Sequence, residues 1–381
     1  MKILFIIDQY DNDNNGTVIS AKRFANVLRQ FGHEVRFVSP GVETEEKYAV
    51  RKLNIPFFNG IIEKQGMTLG KPCKVVLRKA IEWADVVHFL MPFWLSYKGR
   101  QIAEEMGVPN TAAFHVQPEN ISYSLGFGKS KLANKLLYKF FKKFFNKFNH
   151  VHCPSPFIAS ELEKYGYNAK LHIISNGINE CFVYRKLPKP PAEAQKIIIV
   201  MIGRLSNEKR QDLLIDAVKK SKYSEKIQLV LAGKGPKHKK YEKLGSKLTN
   251  PVIIKFFSQQ ELLDLLAMAD LYVHASDAEI EGISCIEAFA SGLVPVISDS
   301  IKSATKQFAL DERSLFKNGC SDDLALKIDY WLDNEKERKN MEIKYAEHGK
   351  QFGIETYVKK FENMLLEAYN VETDNYPSLL S

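Results

Sequence analysis

Apolar residues along this chain fall into short continuous runs, separated by longer stretches in which they recur every three or four positions. Continuous runs of roughly four to eight residues suit strands covered on both faces, and the longer period suits helices lying across them. The pattern predicts a strand over residues 2–7, a helix over 18–31 and a strand over 34–38, then strands over 86–90, 110–114, 150–153 and 171–174. Such alternation implies parallel sheets with helices on their faces. A stretch over 186–196, containing Pro188, Pro190 and Pro191, breaks the pattern and reads as an extended linker. Beyond it, strands are expected over 197–202, 227–232, 252–256, 271–274 and 294–297, and helices over 211–220, 259–268, 284–290 and 321–331. The expected division is an N-terminal domain over 1–185, the linker, a second domain over 197–360, and a C-terminal helix and tail over 361–381 that crosses back to the first domain. Doubly wound α/β domains bind ligands outside the carboxyl ends of their strands, so a central cleft faced by both domains is the expected site.

Composition agrees with two packed cores: 381 residues exceed one ordinary core, and 45% are hydrophobic. The five cysteines (Cys73, Cys153, Cys181, Cys285, Cys320) are scattered, with no CxxC pair, which fits a reducing, cytoplasmic setting. The apolar run over 3–7 is closed by Asp8 and reads as a buried strand rather than a signal peptide. No run approaches the roughly 18 apolar residues of a membrane span. Lys and Arg total 54 against 45 Asp and Glu, a net +9, and seven lysines without any acid lie between Gly128 and His150. No nucleic-acid motif accompanies this charge, so nucleic acid is not an expected partner.

Four segments carry candidate chemistry. The first strand–helix turn runs from Asp11 through Asn12, Asp13, Asn14 and Asn15 to Gly16 and Thr17, where an anion or sugar hydroxyl can meet a helix N-terminus. It lacks the GxGxxG pattern of dinucleotide sites. The strand over 197–202 ends in Gly203-Arg204-Leu205-Ser206-Asn207-Glu208-Lys209, placing two cations where a diphosphate can be gripped. Further on, Glu279-Ile280-Glu281-Gly282-Ile283-Ser284-Cys285-Ile286-Glu287 opens a helix through a glycine, with carboxylates at both ends suited to sugar and ribose hydroxyls. Finally, Phe114-His115-Val116-Gln117-Pro118-Glu119-Asn120 follows a predicted strand and gathers polar groups around His115.

Together, Gly203 to Lys209, Glu279 and Glu287 resemble the donor site of family 4 glycosyltransferases. The Glu-x7-Glu spacing and the turn Ala232-Gly233-Lys234-Gly235-Pro236 are similar to that family's signatures. The resemblance runs along essentially the whole chain. It implies the GT-B fold, a nucleotide-sugar donor and transfer with retention of anomeric configuration. It also implies that Arg204 and Lys209 hold the donor diphosphate, Glu279 the transferred sugar and Glu287 the ribose. Gly282, Ile283 and Ser284 would offer backbone donors beside Gly233 and Gly235, Gly16 would contribute from the first domain, and His115 would lie near the anomeric carbon. Catalysis would then rest on His115, Glu279, Arg204 and Lys209. With two cations on the leaving group and no credible Asp-x-Asp, no metal or other cofactor is expected. Arg210 stands where many relatives have glycine, which leads us to expect a more basic rim.

The acid-free segment interleaves lysines with Leu132, Leu136, Leu137, Phe140, Phe141, Phe144, Phe145 and Phe148. At 100° per residue the lysines span roughly 160° of the wheel, opposite most of the apolar side chains. Such a helix either docks on an anionic membrane through Lys131, Lys135, Lys139, Lys142 and Lys143, or packs its aromatic face on the core. The expected acceptor is therefore membrane-associated, diacylglycerol or another glycolipid, reached from the inner face of the cell membrane. The segments His115 to Asn120 and His152-Cys153-Pro154-Ser155 also resemble glycolipid-forming members of the family. The rival readings are a capsule or lipopolysaccharide-type saccharide transferase and, in another class, a catalytically silent sugar-nucleotide or membrane-binding protein.

Overall fold

The structure, a computed structural model, describes residues 1–12, 16–56, 68–128 and 130–375, which divide into two α/β units. Asp13, Asn14, Asn15, Lys129 and the tail over 376–381 lie outside the described residues.

The first unit is built on seven strands: β1 (Lys2–Ile6), β2 (Glu34–Pro40), β3 (Lys47–Val50), β4 (Val86–Phe89), β5 (Asn110–Ala113), β6 (His150–Cys153) and β7 (Lys170–Ile173). All pair in parallel in the order β3-β2-β1-β4-β5-β6-β7. Every residue of β4 and β6 is buried, as expected of parallel strands covered on both faces. The helix Ile354–Asn375 belongs to this unit. Its Val358, Phe361 and Leu365, spaced three and four apart, share one core with Ile3, Phe5, Val18 and Phe24. The return to the first unit thus begins at Ile354 rather than at 361.

The second unit carries β8 (Ile197–Ile202), β9 (Ile227–Ala232), β10 (Ile253–Lys255), β11 (Leu271–His274), β13 (Pro295–Ser298) and β15 (Leu315–Phe316), ordered β10-β9-β8-β11-β13-β15. A separate parallel ladder joins β12 (Ala278–Glu279) to β14 (Lys302–Ser303). The chain enters this unit at Gly177, not near Arg185, because Ile178 and Phe182 bury their side chains in its core. Residues 186–196 are not a free tether either. The Leu187 amide donates to the Ala267 carbonyl at 3.0 Å, and Lys189 Nζ reaches Asp270 at 2.5 Å. Residues 123–128 also cluster with the second unit, where Tyr123 Oη donates to Asp277 at 3.0 Å.

In each sheet the strand order reverses at one place, between β1 and β4 and between β8 and β11. Loops leaving adjacent strands at such a point diverge and leave a crevice. In the second unit those loops are residues 203–210 and 275–282, the two segments with candidate donor chemistry.

Candidate active site

The loop after β8 is held against the turn after β9 by backbone hydrogen bonds. Gly203 N donates to Ala232 O and Leu205 N to Lys234 O, both at 3.0 Å. This approach admits no side chain: a Cβ on Gly233 would lie 2.0 Å from Gly203 O, and one on Gly235 2.4 Å from Leu205 O. The two glycines shape the loop that carries Arg204. Burial depresses the Arg204 pKa, with Glu208 opposing, but a guanidinium remains a cation at neutral pH. Glu208 is itself buried and accepts from Ser206 Oγ at 2.5 Å.

Lys209 and Glu279, seventy positions apart, meet directly: Lys209 Nζ donates to Glu279 Oε2, and both side chains are largely buried. His274, fully buried at the end of β11, brings Nε2 to 3.3 Å from the same oxygen, close enough for attraction but not aligned as a hydrogen bond. Its Nδ1 lies 3.0 Å from Tyr272 Oη, which donates to Ser284 Oγ at 3.2 Å. Ser284 in turn donates to the carbonyl of Ile202 at 3.3 Å, tying the helix Ile283–Ala290 to the end of β8. Burial alone would raise the Glu279 pKa, but Lys209 and His274 outweigh it and hold the carboxyl down to about 2. Burial pushes His274 below its ordinary value, while Glu279 draws it back up.

Gly282 caps the helix Ile283–Ala290 with φ 93°, and a Cβ there would strike Thr305 Cγ2 at 2.2 Å. Glycine is thus required twice over, by conformation and by space. The first-turn amides of Ile283 and Ser284 have no partner within the helix and mark its positive end. Glu287 sits one turn further and is buried.

Arg210 is the only non-glycine residue with positive φ among the described residues, at φ 57°. A left-handed conformation explains why glycine suits this position. The guanidinium does not add a free charge to the rim, contrary to expectation. Its Nη1 donates to both oxygens of buried Asp277 at 3.3 Å, and Nε reaches Asp212 at 3.4 Å. Burial opposes its charge, but these two carboxylates raise its pKa.

Two predicted residues belong to the first unit. Gly16 is the first residue of the helix Gly16–Gln30. His115 follows β5, is 8% exposed, and lines a cavity of about 10 Å³ with His88, His152 and Asn176, room for about one water. Burial, reinforced by His152, holds the His115 pKa well below 6.5, so the ring is neutral at pH 7. It is suited to donating or accepting one hydrogen bond, not to supplying positive charge.

The basic segment forms the helix Lys131–Phe145, capped by Ser130 Oγ, which accepts from Ala133 N at 3.2 Å. Tyr138, Phe141, Phe144 and Phe145 are buried, with Phe145 5.0 Å from Phe114. Most of the aromatic face therefore packs on the core. Leu132, Leu136 and Phe140 remain outside, 68%, 57% and 54% exposed, in a stripe one helical turn apart. Lys131, Lys135, Lys139 and Lys143 are exposed around it, and Lys142 is half-buried.

The family described as Glycosyltransferase Family 4 matches residues 14–180, and that described as Glycosyl transferases group 1 matches 185–348, so the two in tandem span most of the chain. The protein belongs to glycosyltransferase family 4. This glycosyltransferase is 23% identical over 320 residues to the alpha-monoglucosyldiacylglycerol synthase of Streptococcus pneumoniae, covering 78% of this chain and 71% of that protein. It is 26% identical over 313 residues to a GDP-mannose-dependent alpha-mannosyltransferase of Mycolicibacterium smegmatis, covering 78% and 79%. Among solved structures, sucrose-phosphate synthase from Thermosynechococcus elongatus aligns with a TM-score of 0.76 at 18% identity, over 97% of this chain and 100% of that one. Anabaena HepE in complex with UDP-glucose aligns with a TM-score of 0.74 at 16% identity, over 96% and 100%. The glycosyltransferase thus has the GT-B fold.

Its second unit brings Arg204, Lys209, Glu279 and the start of the helix at Gly282 to one switch point. Two contributors are not singled out by the sequence. His274 carried a signal, since it ends a predicted strand whose carboxyl edge was the expected site. Asp277, two residues before Glu279, is legible only as an acid. Its partners Arg210 and Tyr123 lie far away in sequence, and nothing local announces them.

Proposed function

We propose that the protein is a retaining hexosyltransferase that takes its sugar from a nucleotide-sugar, a UDP-sugar in the first instance, and delivers it to a membrane-associated acceptor such as diacylglycerol or another glycolipid. The observation that carries the donor half is the meeting of Arg204, Lys209, Glu279 and the Gly282 helix start at the β8/β11 switch point. In this reading the bond between the anomeric carbon and the phosphate oxygen breaks, a bond from that carbon to the acceptor oxygen forms on the same face, and the acceptor proton passes to the departing phosphate. Arg204 and Lys209 stabilise the negative charge on that phosphate, so the site calls for no metal. When the diphosphate takes Lys209, Glu279 is released from its ion pair and becomes available to the sugar hydroxyls. Glu287 serves the ribose, Gly16 the donor from the first unit, and neutral His115 a sugar hydroxyl near the reacting carbon.

The acceptor half rests on the stripe Leu132, Leu136 and Phe140 and its surrounding lysines. No helix among the described residues is long and apolar enough to cross a membrane, which leaves a peripheral attachment as the geometry to test. Supporting it, relatives from Streptococcus pneumoniae and Acholeplasma laidlawii are named alpha-monoglucosyldiacylglycerol synthases. The similarity to enzymes named GDP-mannose-dependent keeps GDP-mannose as the second donor to test.

The experiment is donor hydrolysis and transfer with UDP-glucose, UDP-galactose, UDP-N-acetylglucosamine and GDP-mannose, with diacylglycerol in anionic vesicles or a soluble saccharide as acceptor. A UDP-hexose should be consumed, transfer should favour the vesicles, and NMR should show a retained anomer. Preference for GDP-mannose overturns the choice of donor, transfer to the saccharide alone overturns the acceptor, and an inverted anomer overturns the mechanism. Binding of donor with no turnover would identify a silent binding protein.

A further inference from the structure

On the face of the first sheet covered by the C-terminal helix, three side chains converge that the donor chemistry does not use. His150 opens β6, His172 lies on the neighbouring strand β7, and Glu367 comes from the helix Ile354–Asn375. In the register of this parallel pair His150 faces Lys170 and His152 faces His172, so both ligand histidines point to the same face by the alternation of strand side chains. His150 Nδ1 and His172 Nε2 lie 3.0 Å apart, and one oxygen of Glu367 lies with them inside a span of 4.8 Å.

We propose that His150, His172 and Glu367 bind one zinc-class divalent transition-metal ion, which clips the C-terminal helix to the edge of the first sheet. Two imidazoles and a carboxylate are the donor set such ions take, at about 2.0–2.2 Å each, which places tetrahedral ligand atoms about 3.3 Å from one another. The two imidazole nitrogens already stand near that separation. Those two nitrogens now share one hydrogen bond, so ligation by both shifts its proton to the other nitrogen of the donating ring. Lys170 Nζ holds Glu367 in the absence of metal. Lys170 is exposed and Glu367 half-exposed, and such a surface pair contributes about 0–1 kcal/mol, so a divalent ion displaces it readily. β7 is an edge strand, and His172 and Glu367 are only half-buried, which leaves room for entry and for water at the remaining position. The ion would be structural: its ligands all belong to the first unit, whereas the diphosphate loops belong to the second.

The test is calorimetric titration of tag-free full-length protein, stripped with EDTA and exchanged into metal-free buffer, with zinc chloride. Cobalt(II) absorbance and the thermal midpoint serve as parallel readouts. One zinc per chain should bind, cobalt should give the visible spectrum of a histidine-ligated ion, and zinc should raise the midpoint. His172→Gln and Glu367→Gln, both at half-exposed positions and checked for native circular dichroism, should each weaken zinc at least tenfold and abolish the rise. Absence of binding at micromolar zinc, or wild-type affinity in both variants, overturns the proposal.

Discussion

Replacing Glu279 by Gln removes the charge around which the loops after β8 and β11 are organised, and the structure gives the change a size and a pH window. The carboxyl is held at about 2 against an ordinary 4.5. At 1.36 kcal/mol per pKa unit that difference is about 3 kcal/mol in favour of the ionised form in the folded state. The pKa is depressed, so the stabilisation is complete above 4.5 and is lost as the pH falls toward 2. One unit below the ordinary value, at pH 3.5, about 1.4 kcal/mol of it is gone. Gln keeps an acceptor for Lys209 and is easier to bury than a charge, so the variant should lose about 1–3 kcal/mol at neutral pH rather than the whole amount. Urea unfolding of wild type and Glu279→Gln, at pH 7 and again at pH 3.5, should show the gap narrowing by about 1.4 kcal/mol. A gap that is the same at both pH values, or absent at pH 7, would show that the ion pair with Lys209 does not hold this carboxylate.

The same variant separates two functional roles. With Gln at 279 the Lys209 ammonium is no longer committed to a carboxylate and remains available to a diphosphate. Calorimetric affinity for free UDP should hold steady or tighten, while kcat/KM for the donor falls about 10–100-fold through loss of a charged hydrogen bond to the sugar. Equal losses in UDP affinity and in transfer would refute the sugar-binding role.

Four further outcomes are expected. Arg204→Ala and Lys209→Ala should each lower kcat/KM for the donor by at least about a hundredfold in steady-state assays, since each removes a charge-assisted contact to the leaving group; near-normal kinetics in both would defeat the assignment. Transfer should persist in EDTA, and complete loss rescued by magnesium or manganese would show that a cation holds the diphosphate. Changing Lys135, Lys139, Lys142 and Lys143 to Glu should abolish flotation with anionic vesicles, where each lysine contributes about 1 kcal/mol at low salt; donor hydrolysis should stay intact, and equal flotation of both proteins would return the helix to a plain surface element. Arg210→Gly should relieve about 1 kcal/mol of left-handed strain but strand Asp277, a loss of about 1.5–3 kcal/mol, so the variant should be less stable in urea and recover when Asp277→Asn is added; a gain from Arg210→Gly alone would contradict this.

How far the fold was legible follows from what the strands bury. β1, β8, β9, β11 and β13 are covered on both faces, so their apolar runs stand out from the sequence. β3 does not stand out, because its Lys47 is buried by pairing with Asp11 at 2.7 Å, and a charged residue does not announce a strand. The helix Glu335–Gly349 was hidden similarly: its buried stripe is Arg338, Met341, Glu342 and Tyr345, and two of the four are charges that neutralise each other. The basic helix was visible as a helix, but its aromatic positions serve two surroundings. Phe141, Phe144 and Phe145 go inward and Leu132, Leu136 and Phe140 outward, a distinction set by where the helix lands on the sheet.

In the donor loops the kinds of residue were readable, and their pairing was not. The sequence singles out Lys209, Arg210 and Glu279 near a switch point and passes over Asp277, which is one acid among many. The sequence leaves open which cation takes which acid. The structure divides them: Arg210 to Asp277, which fixes the left-handed entry to the helix Gln211–Lys220, and Lys209 to Glu279, which leaves one movable pair beside the Gly282 helix start. The first pair is bound from several sides, by Asp212 and Tyr123 as well, and is built to stay. Among the described residues the second has only His274 beside it, 3.3 Å from Glu279 Oε2 but not aligned as a hydrogen bond. A ligand with two phosphates therefore finds one lysine it can win from its partner and one arginine it cannot. That difference assigns Lys209 to the proposed donor and Arg210 to the scaffold.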